Sequence, residues 1–313
     1  MKRKIIIDTD PGQDDAVAIL LALASPEELD ILGIVTVAGN VPLALNVKNA
    51  LRVLELAGRP DVPVYAGCER PLRRRLVTAE HVHGDTGLDG PDLPQPTIRQ
   101  QAQHGVDYLI DTIKAHPEGE ITICALGPLT NIGMALAKAP EIAKRIGEIV
   151  LMGGGYFEGG NITPVAEFNI YVDPDAADIV FRSGIPIVVA PLDLSHMMLS
   201  TPARLQRIRS LGNRVGQAVF EMLSFSERFD VKKYGSEGAP LHDPCVIAYL
   251  LQPDLFQGRR INVTIETGSE LTMGMTVADY WGVTGRVHNC FFLRSGDAER
   301  FYDLLTARLA KLP

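Results

Sequence analysis

The chain has 313 residues, of which 46% are hydrophobic and 22% charged, as in an ordinary soluble globular protein. Its formal net charge of −8 argues against binding to nucleic acid or to an anionic membrane surface. No apolar run is long enough for a signal-peptide core or a membrane span. The four cysteines are scattered without a Cys-x-x-Cys pair, so neither a zinc site nor a disulfide framework is indicated. We therefore expect a cytoplasmic protein with no nucleic-acid or membrane partner.

Strand-like and helix-like segments alternate along the chain. Strands are predicted at 4–7, 31–37, 62–65, 121–125, 146–152, 185–190, 261–265 and 286–293, with an extended segment at 165–172. Helices are predicted at 16–24, 43–57, 105–115, 130–138, from Asp173 onward, through much of 202–234, and at 298–312. This alternation predicts an α/β fold: an open, mostly parallel Rossmann-like sheet flanked by helices, with additional C-terminal helices and strands. Without repeats or a linker, residues 1–313 are expected to form a single domain.

Four aspartates follow the first strand within eight residues: Asp8, Asp10, Asp14 and Asp15. Helix capping and first-turn charges could explain Asp14 and Asp15, but not the other two. Four like charges in one turn repel each other unless a cation neutralises them or they bind protons. Because carboxylates are hard oxygen ligands and no His or Cys is nearby, the cluster favours Ca²⁺ or Mg²⁺ over zinc.

Polar residues also follow later strands, and the carboxyl ends of parallel strands lie on one side of a sheet. Asp243, beside His242, is the natural distant partner of the aspartate cluster, although a turn before Pro244 is an alternative explanation. Strict alternation in 164–172 would direct Glu167, Asn169 and Tyr171 to one face, suited to a polyhydroxylated ligand or simply to solvent. The long 81–90 loop, rich in Gly and Asp, suggests a lid.

Taken together, seven blocks resemble the inosine–uridine-preferring nucleoside hydrolases. In order they are Asp8-Thr-Asp-Pro-Gly-Gln-Asp-Asp15, Val37-Ala-Gly-Asn40, His83-Gly-Asp-Thr-Gly87, Gly127-Pro-Leu-Thr-Asn131, Met152-Gly-Gly-Gly155, Ala166-Glu-Phe-Asn169 and Leu241-His-Asp-Pro244. The resemblance covers nearly the whole chain. It implies a Ca²⁺-dependent ribonucleoside hydrolase, in which a metal-bound water attacks C1′ and releases ribose and the free base.

The resemblance also implies roles for individual residues. The metal ligands would be the carboxylates of Asp10, Asp15 and Asp243 and the backbone carbonyl of Leu126. Asp10 would also be the catalytic base, and His242 the acid that protonates the departing base. The substrate-binding positions would be Asp14, Asn40, His83, Met152, Asn161, Glu167, Asn169 and Tyr234. Asp8 is expected to support the others, and a homodimer or homotetramer is implied.

Two positions and two alternative functions bear on this reading. Gln13 stands at a variable position of the family motif, so we expect it to matter little, and Asp230 leaves the base preference open. A haloacid-dehalogenase-like Mg²⁺ phosphatase also begins with Asp-x-Asp, but it lacks a role for Asp14 and Asp15. A calcium-dependent nucleoside or sugar sensor without turnover would need neither Asp10 as base nor His242 as acid.

Overall fold

The computed structural model describes residues 2–313, except for the side chains of Asp230 and Tyr234. The strands are β1 Arg3–Thr9, β2 Leu29–Thr36, β3 Val64–Ala66, β4 Ile121–Ala125, β5 Ile146–Met152, β6 Ile187–Ala190, β7 Leu199–Ser200, β8 Ala239–Pro240, β9 Phe256–Ile261, β10 Val263–Ile265, β11 Thr276–Ala278 and β12 Cys290–Gly296.

The helices lie between and after these strands. They are α1 Gln13–Leu23, α2 Leu43–Leu56, α3 Glu80–His83, α4 Gly105–Ala115, α5 Thr130–Lys138, α6 Phe168–Val172, α7 Pro174–Phe181, α8 Leu192–Ser195, α9 Pro202–Arg209, α10 Arg214–Tyr234, α11 Pro244–Leu251 and α12 Ala298–Leu309, with short 3₁₀ turns at Pro140–Lys144 and Pro253–Leu255. No helix of residues 2–313 is long and apolar enough to cross a membrane.

Eight strands form the central sheet in the order β3-β2-β1-β4-β5-β6-β12-β9. All neighbouring pairs are parallel except β12 with β9, which confirms the predicted mostly parallel α/β fold. Helices cover both faces: Ile5 and Ile7 of β1 pack into the core containing α1, α2 and α11, whereas Ile6 packs into the core containing α4, α5 and α7. Burial on both faces explains why β1 reads as a continuous β-branched run.

The first six strands have the doubly wound order 3-2-1-4-5-6. The chain winds outward from β1 in one direction and from β4 in the other, so these two strands flank the topological switch point. Ligands of open α/β sheets bind outside the carboxyl ends of the strands at this point. The aspartates after β1 and Leu126 after β4 therefore lie where a ligand is expected.

Some predicted elements differ from the structure. The predicted extended segment 165–172 is wrong, because Phe168–Val172 is the helix α6. The predicted strand 261–265 is interrupted, with β9 and β10 belonging to different sheets. The strand predicted at 286–293 begins at Cys290 and extends to Gly296, and the 81–90 loop starts within the short helix α3.

Candidate active site

The turn between β1 and α1 is built around Asp15. Its Oδ1 accepts a hydrogen bond from the Thr9 hydroxyl at 2.5 Å, and its Oδ2 accepts one from the Gly12 amide at 3.0 Å. Asp15 is the third residue of α1, and its carboxylate caps the amide of Gly12, the residue that precedes the helix. The Asn40 side chain, from the loop after β2, also donates to Oδ2, at 3.2 Å. Asp14 and Asp15 are therefore first-turn charges of α1, as the alternative explanation had it, but neither is the N-cap, which is Gly12. Asp15 also connects the loops that follow β1 and β2.

Asp10 is buried beside this turn. Its Oδ2 accepts a hydrogen bond from the Asn40 backbone amide at 2.7 Å, whereas its buried Oδ1 has no hydrogen-bond partner among the described residues. Burial, followed by repulsion from Asp15, raises the pKa of Asp10 well above its usual value. An unpartnered carboxylate oxygen in a buried site is costly, and a cation would satisfy it.

Asp14, Asp15 and Asp243 form an acidic cluster in which one oxygen from each residue lies within 4.8 Å of the others. Asp243 precedes α11, more than two hundred residues from the other two along the chain. Burial raises the pKa of Asp243 well above its usual value, and repulsion by Asp14 is the second cause. These residues offer only oxygen ligands, so together with Asp10 they fit a hard divalent cation such as Ca²⁺ or Mg²⁺. The cluster could hold a metal ion.

The acidic cluster contains Asp14, whereas the carboxylate ligands that the family resemblance implies include Asp10 in its place. Asp14 belongs to it, although the resemblance gives Asp14 to the substrate. Asp10 lies alongside, close enough for repulsion from Asp14 and Asp15 to raise its pKa. Leu126 lines the same cavity, and its carbonyl accepts a hydrogen bond from the Asn169 side chain at 2.7 Å.

One cavity brings most of the predicted site residues together. It is lined by Asp14, Asp15, Asn40, His83, Leu126, Met152, Asn161, Glu167, Asn169, His242 and Asp243. Asp10 lies behind the lining, in contact with Asn40. The side chain of Tyr234 lies outside the described residues, as does that of Asp230.

Glu167, Asn169 and Asn161 reach the cavity for a reason other than strand alternation. Glu167 is the N-cap of α6, and its carboxylate accepts hydrogen bonds from the backbone amides of Asn169, Ile170 and Gly154 at 2.8–3.2 Å. Burial nevertheless raises the pKa of Glu167 to about 7. Asn161 accepts from the Phe168 amide at 2.8 Å. One turn of helix, not a strand, therefore presents Glu167 and Asn169.

His242, which precedes Asp243, also lines the cavity. Its Nδ1 is 2.7 Å from the Ser195 hydroxyl. Burial, reinforced by His196 and then His83, lowers the pKa of His242 to about 3. The imidazole is therefore neutral at pH 7. His83, which burial likewise keeps at a pKa of about 4, lines the same cavity.

Asp8 is separated from the acidic cluster. Its Oδ2 accepts a hydrogen bond from the Asn131 side chain at 2.8 Å, and its Oδ1 has no partner among the described residues. The backbone carbonyl of Asp8 accepts from the Leu126 amide at 2.8 Å. Burial raises the pKa of the Asp8 side chain to about 7.

Part of the cavity wall was not identified from the sequence. Helix α10 contributes Leu223, Ser226, Phe229 and Lys233, and α3 contributes His81, whose ring meets that of Phe229 at 5.5 Å. The α10 residues recur every three or four positions, so they share one helix face. That periodicity was the available signal, but it does not distinguish a face that lines a cavity from one that packs on a core.

Comparison with known proteins agrees with this geometry. The model of the inosine-uridine preferring nucleoside hydrolase family matches residues 5–303. A Schizosaccharomyces pombe relative called an uncharacterized protein is 54% identical over 99% of this chain and 100% of its own length. A pyrimidine-specific ribonucleoside hydrolase RihA from Shewanella sp. strain MR-7 is 48% identical over 99% of this chain and 97% of its own.

Solved structures extend the comparison to the fold. A purine-preferring ribonucleoside hydrolase from Gardnerella vaginalis superposes with a TM-score of 0.91 at 34% identity, over 98% of each chain. The matched region contains both the β1–α1 turn and Asp243, the two halves of the acidic cluster. The chain therefore belongs to the inosine-uridine preferring nucleoside hydrolase family and is an N-glycosyl hydrolase of nucleosides.

Proposed function

We propose that this enzyme is a Ca²⁺-dependent hydrolase of ribonucleosides of the uridine, cytidine and inosine class, releasing ribose and the free base. One observation supports this proposal most strongly: the acidic cluster and His242 line one cavity at the switch point, together with the side-chain amides of Asn40, Asn161 and Asn169. Preference for pyrimidines is favoured because relatives named pyrimidine-specific are 46–48% identical, against 34% for the purine-preferring enzyme.

The calcium site in this proposal consists of Asp10, Asp15, Asp243 and the Leu126 carbonyl. Its oxygen-only ligands and its accumulated negative charge favour Ca²⁺. When bound, the ion would make a nearby water more acidic and neutralise the repulsion within the cluster. The unpartnered Oδ1 of Asp10 is available to the ion or to a proton.

The protein's own residues supply the remaining chemistry. Water adds its oxygen to C1′ as the bond from C1′ to the base nitrogen breaks, and Asp10 accepts the proton of that water. Positive charge that builds on the ribose is stabilised by the surrounding carboxylates. Asp14, Asn40, Asn161, Glu167 and Asn169 are proposed to bind the ribose, together with Met152. Their carboxylates accept hydrogen bonds from hydroxyls, and their amides both donate and accept.

His242 is proposed to protonate the departing base. Because it is neutral at pH 7, its N–H first donates a hydrogen bond to the base. Negative charge that develops on the base raises the pKa of His242, which takes up a proton from solvent and delivers one to the base nitrogen, so that the imidazole is neutral again at the end of the step. Tyr234 is proposed to contact the base or to relay a proton to it.

A base-release assay tests the proposal. Purified enzyme is incubated with uridine, cytidine, inosine and adenosine at millimolar concentration, with Ca²⁺ or after chelation, and the free base is measured. Release of uracil and cytosine that is lost on chelation and restored by Ca²⁺ is the expected result. No release from any nucleoside would reject the activity, and restoration by Mg²⁺ alone would reject the choice of ion. Saturable nucleoside binding without release would favour the sensor.

The wider setting belongs to the same proposal. We place the enzyme in the cytoplasm, where its four free cysteines would stay reduced, and in nucleoside catabolism or salvage. Residues 1–313 are proposed to act as one domain, because the central sheet joins strands from Arg3 to Gly296.

We also propose a homo-oligomer, a dimer or a tetramer, formed through an aromatic patch. This patch consists of Phe157, Tyr280, Trp281, Val283 and Val287, with Arg259 and Arg294. Trp281, Val283 and Val287 are 67%, 84% and 86% exposed. The arginines already stack on Tyr280 and Phe157 within one chain. A second copy would bury the exposed Trp281, Val283 and Val287 against the same patch, as a two-fold contact requires.

A further inference from the structure

Gln13 joins the start of α1 to the loop that follows α3, here called the 83–89 loop, whose first residue, His83, lines the cavity. Its Nε2 donates hydrogen bonds to two backbone carbonyls of that loop, to His83 at 2.9 Å and to Asp89 at 3.0 Å. The side chain is only 1% exposed. One amide group thus holds both ends of the loop.

The other atom of the same amide defines the state of the His83 ring. Gln13 Oε1 lies 2.6 Å from His83 Nδ1. Because Nε2 is committed to two carbonyl acceptors, the atom facing His83 is an oxygen, and an amide oxygen only accepts. Nδ1 therefore carries the proton, which leaves a lone pair on Nε2 of a ring that lines the cavity.

Nearby residues make this arrangement possible. Gly12 has no Cβ, and a Cβ there would lie 2.5 Å from His83 Nδ1. Asn49 from α2 donates to the carbonyls of Pro11 at 3.0 Å and Thr86 at 2.9 Å, joining the same turn to the middle of the loop. The aspartate-bearing turn and the 83–89 loop are therefore connected through two buried amides.

We propose that Gln13 is a positioning residue, which latches the 83–89 loop over the cavity and holds His83 with Nε2 as an acceptor for a substrate hydroxyl. The proposal goes beyond the expectation that position 13 matters little. It rests on the proposed function only for the identity of the substrate. The latch itself is a property of the enzyme before any nucleoside binds.

The first test replaces Gln13 with a residue of similar size that forms none of these hydrogen bonds. For Gln13→Met, we expect amide hydrogen exchange of the 83–89 loop, measured by mass spectrometry in the Ca²⁺-loaded enzyme, to become about tenfold faster or more. The KM for uridine should rise about tenfold while kcat changes less than about threefold, because a smaller closed fraction weakens apparent binding in proportion. Gln257→Met, the same change at an exposed position, should alter neither quantity.

A second variant separates the latch from the ring state. In Gln13→Glu the carboxylate still accepts from His83 Nδ1–H but no longer donates to the two carbonyls. We expect fast loop exchange as in Gln13→Met, with a smaller rise in KM. This variant also retains a test if the methionine variant does not fold.

A double-mutant cycle shows whether Gln13 acts through His83. The rise in KM on Gln13→Met should be less than about threefold in a His83→Ala background, because residues acting through one contact are not additive. If the effects of Gln13→Met and His83→Ala on KM were fully additive, the positioning role would be overturned. Unchanged hydrogen exchange of the 83–89 loop in both Gln13→Met and Gln13→Glu would overturn the latch. Hydrogen exchange does not require turnover, so these outcomes are distinct from failure of the hydrolase proposal.

Discussion

At the scale of single residues, Asp10 is the proposed catalytic base, and its burial destabilises the folded protein. It is buried with one oxygen bound to Asn40 and the other without a partner among the described residues. Asp10→Asn keeps the shape and the Asn40 contact but cannot accept a proton. We expect base release to fall by about a thousandfold or more. The chelator-treated variant should melt a few degrees above wild type, because a buried repulsive charge has gone.

Measurements of base release and of thermal unfolding check this prediction together. Asp92→Asn, the same substitution at an exposed aspartate, is the control and should change neither. Wild-type turnover in Asp10→Asn would remove Asp10 from the role of base.

Stability of the metal-free enzyme should fall as pH rises from 6.5 to 8, above the range in which the lowered pKa values of His83 and His242 oppose the trend. Burial raises the pKa of Asp8 and Glu167 to about 7 and that of Asp14 to about 6, against about 4 in unfolded chains. In this window the folded state holds protons that the unfolded state has lost, so raising the pH favours unfolding. Melting temperatures in chelator at four pH values between 6.5 and 8 check the sign. Asp8→Asn should flatten the profile, and a melting temperature that rises with pH would contradict the assignment.

His242 can be tested by varying the leaving group. His242→Ala should slow uridine hydrolysis by about 10²- to 10⁴-fold, because the base leaves poorly without a proton. Hydrolysis of p-nitrophenyl riboside should slow by less than about tenfold, since its leaving group needs little protonation. His288→Ala, at an exposed histidine, should leave both rates unchanged. Equal slowing of the two substrates would exclude His242 as the acid.

At the scale of elements, the turns after β2 and β4 hold the Asp10 carboxylate between two glycines. A Cβ at Gly39 would lie 2.0 Å from Asp10 Oδ2, and one at Gly127 would lie 2.3 Å from Asp10 Oδ1. Neither contact is possible between real atoms, so an alanine at either position would displace the carboxylate. Glycine is needed at positions 39 and 127 because a larger residue would collide with Asp10, not because the backbone there has a positive φ.

Gly39→Ala and Gly127→Ala should each lower kcat by about a hundredfold or more, since small displacements of a reacting group are costly. Gly268→Ala, whose Cβ would meet its nearest atom at 3.4 Å, should retain wild-type kcat. Steady-state kinetics on the three variants checks this. Wild-type kcat in both of the first two would mean that Asp10 can move without loss.

At the scale of the whole molecule, the aromatic patch should control assembly. Val283→Asp introduces a charge at an 84% exposed position, and burying that charge in an interface is unfavourable. We expect light scattering coupled to size exclusion to show a smaller species than the wild-type oligomer. Leu271→Asp, at an 86% exposed position in the turn between β10 and β11, should leave the mass unchanged. A wild-type monomer, or a Val283→Asp oligomer of full size, would contradict the proposal.

The sequence alone determined the mostly parallel sheet and the family. Both follow from local pattern: β1 is buried on both faces and therefore continuously β-branched, and the seven motif blocks stand in a recognisable order. It also predicted which polar residues could share a site, because parallel strands end on one edge of the sheet. The geometry of 165–172 was beyond it, since a five-residue helix capped by Glu167 and a short alternating strand have the same pattern.

Only the tertiary structure decided which of these polar residues contact one another and which are left without a partner. It pairs Asp8 with Asn131, leaves one Asp10 oxygen without a partner among the residues that the structure describes, and brings Asp14, Asp15 and Asp243 together. It also gives Gln13 its three hydrogen bonds to the 83–89 loop, which a variable position in a motif does not suggest. These relations depend on the direction of side chains from elements far apart in the chain, and local sequence pattern does not encode such directions.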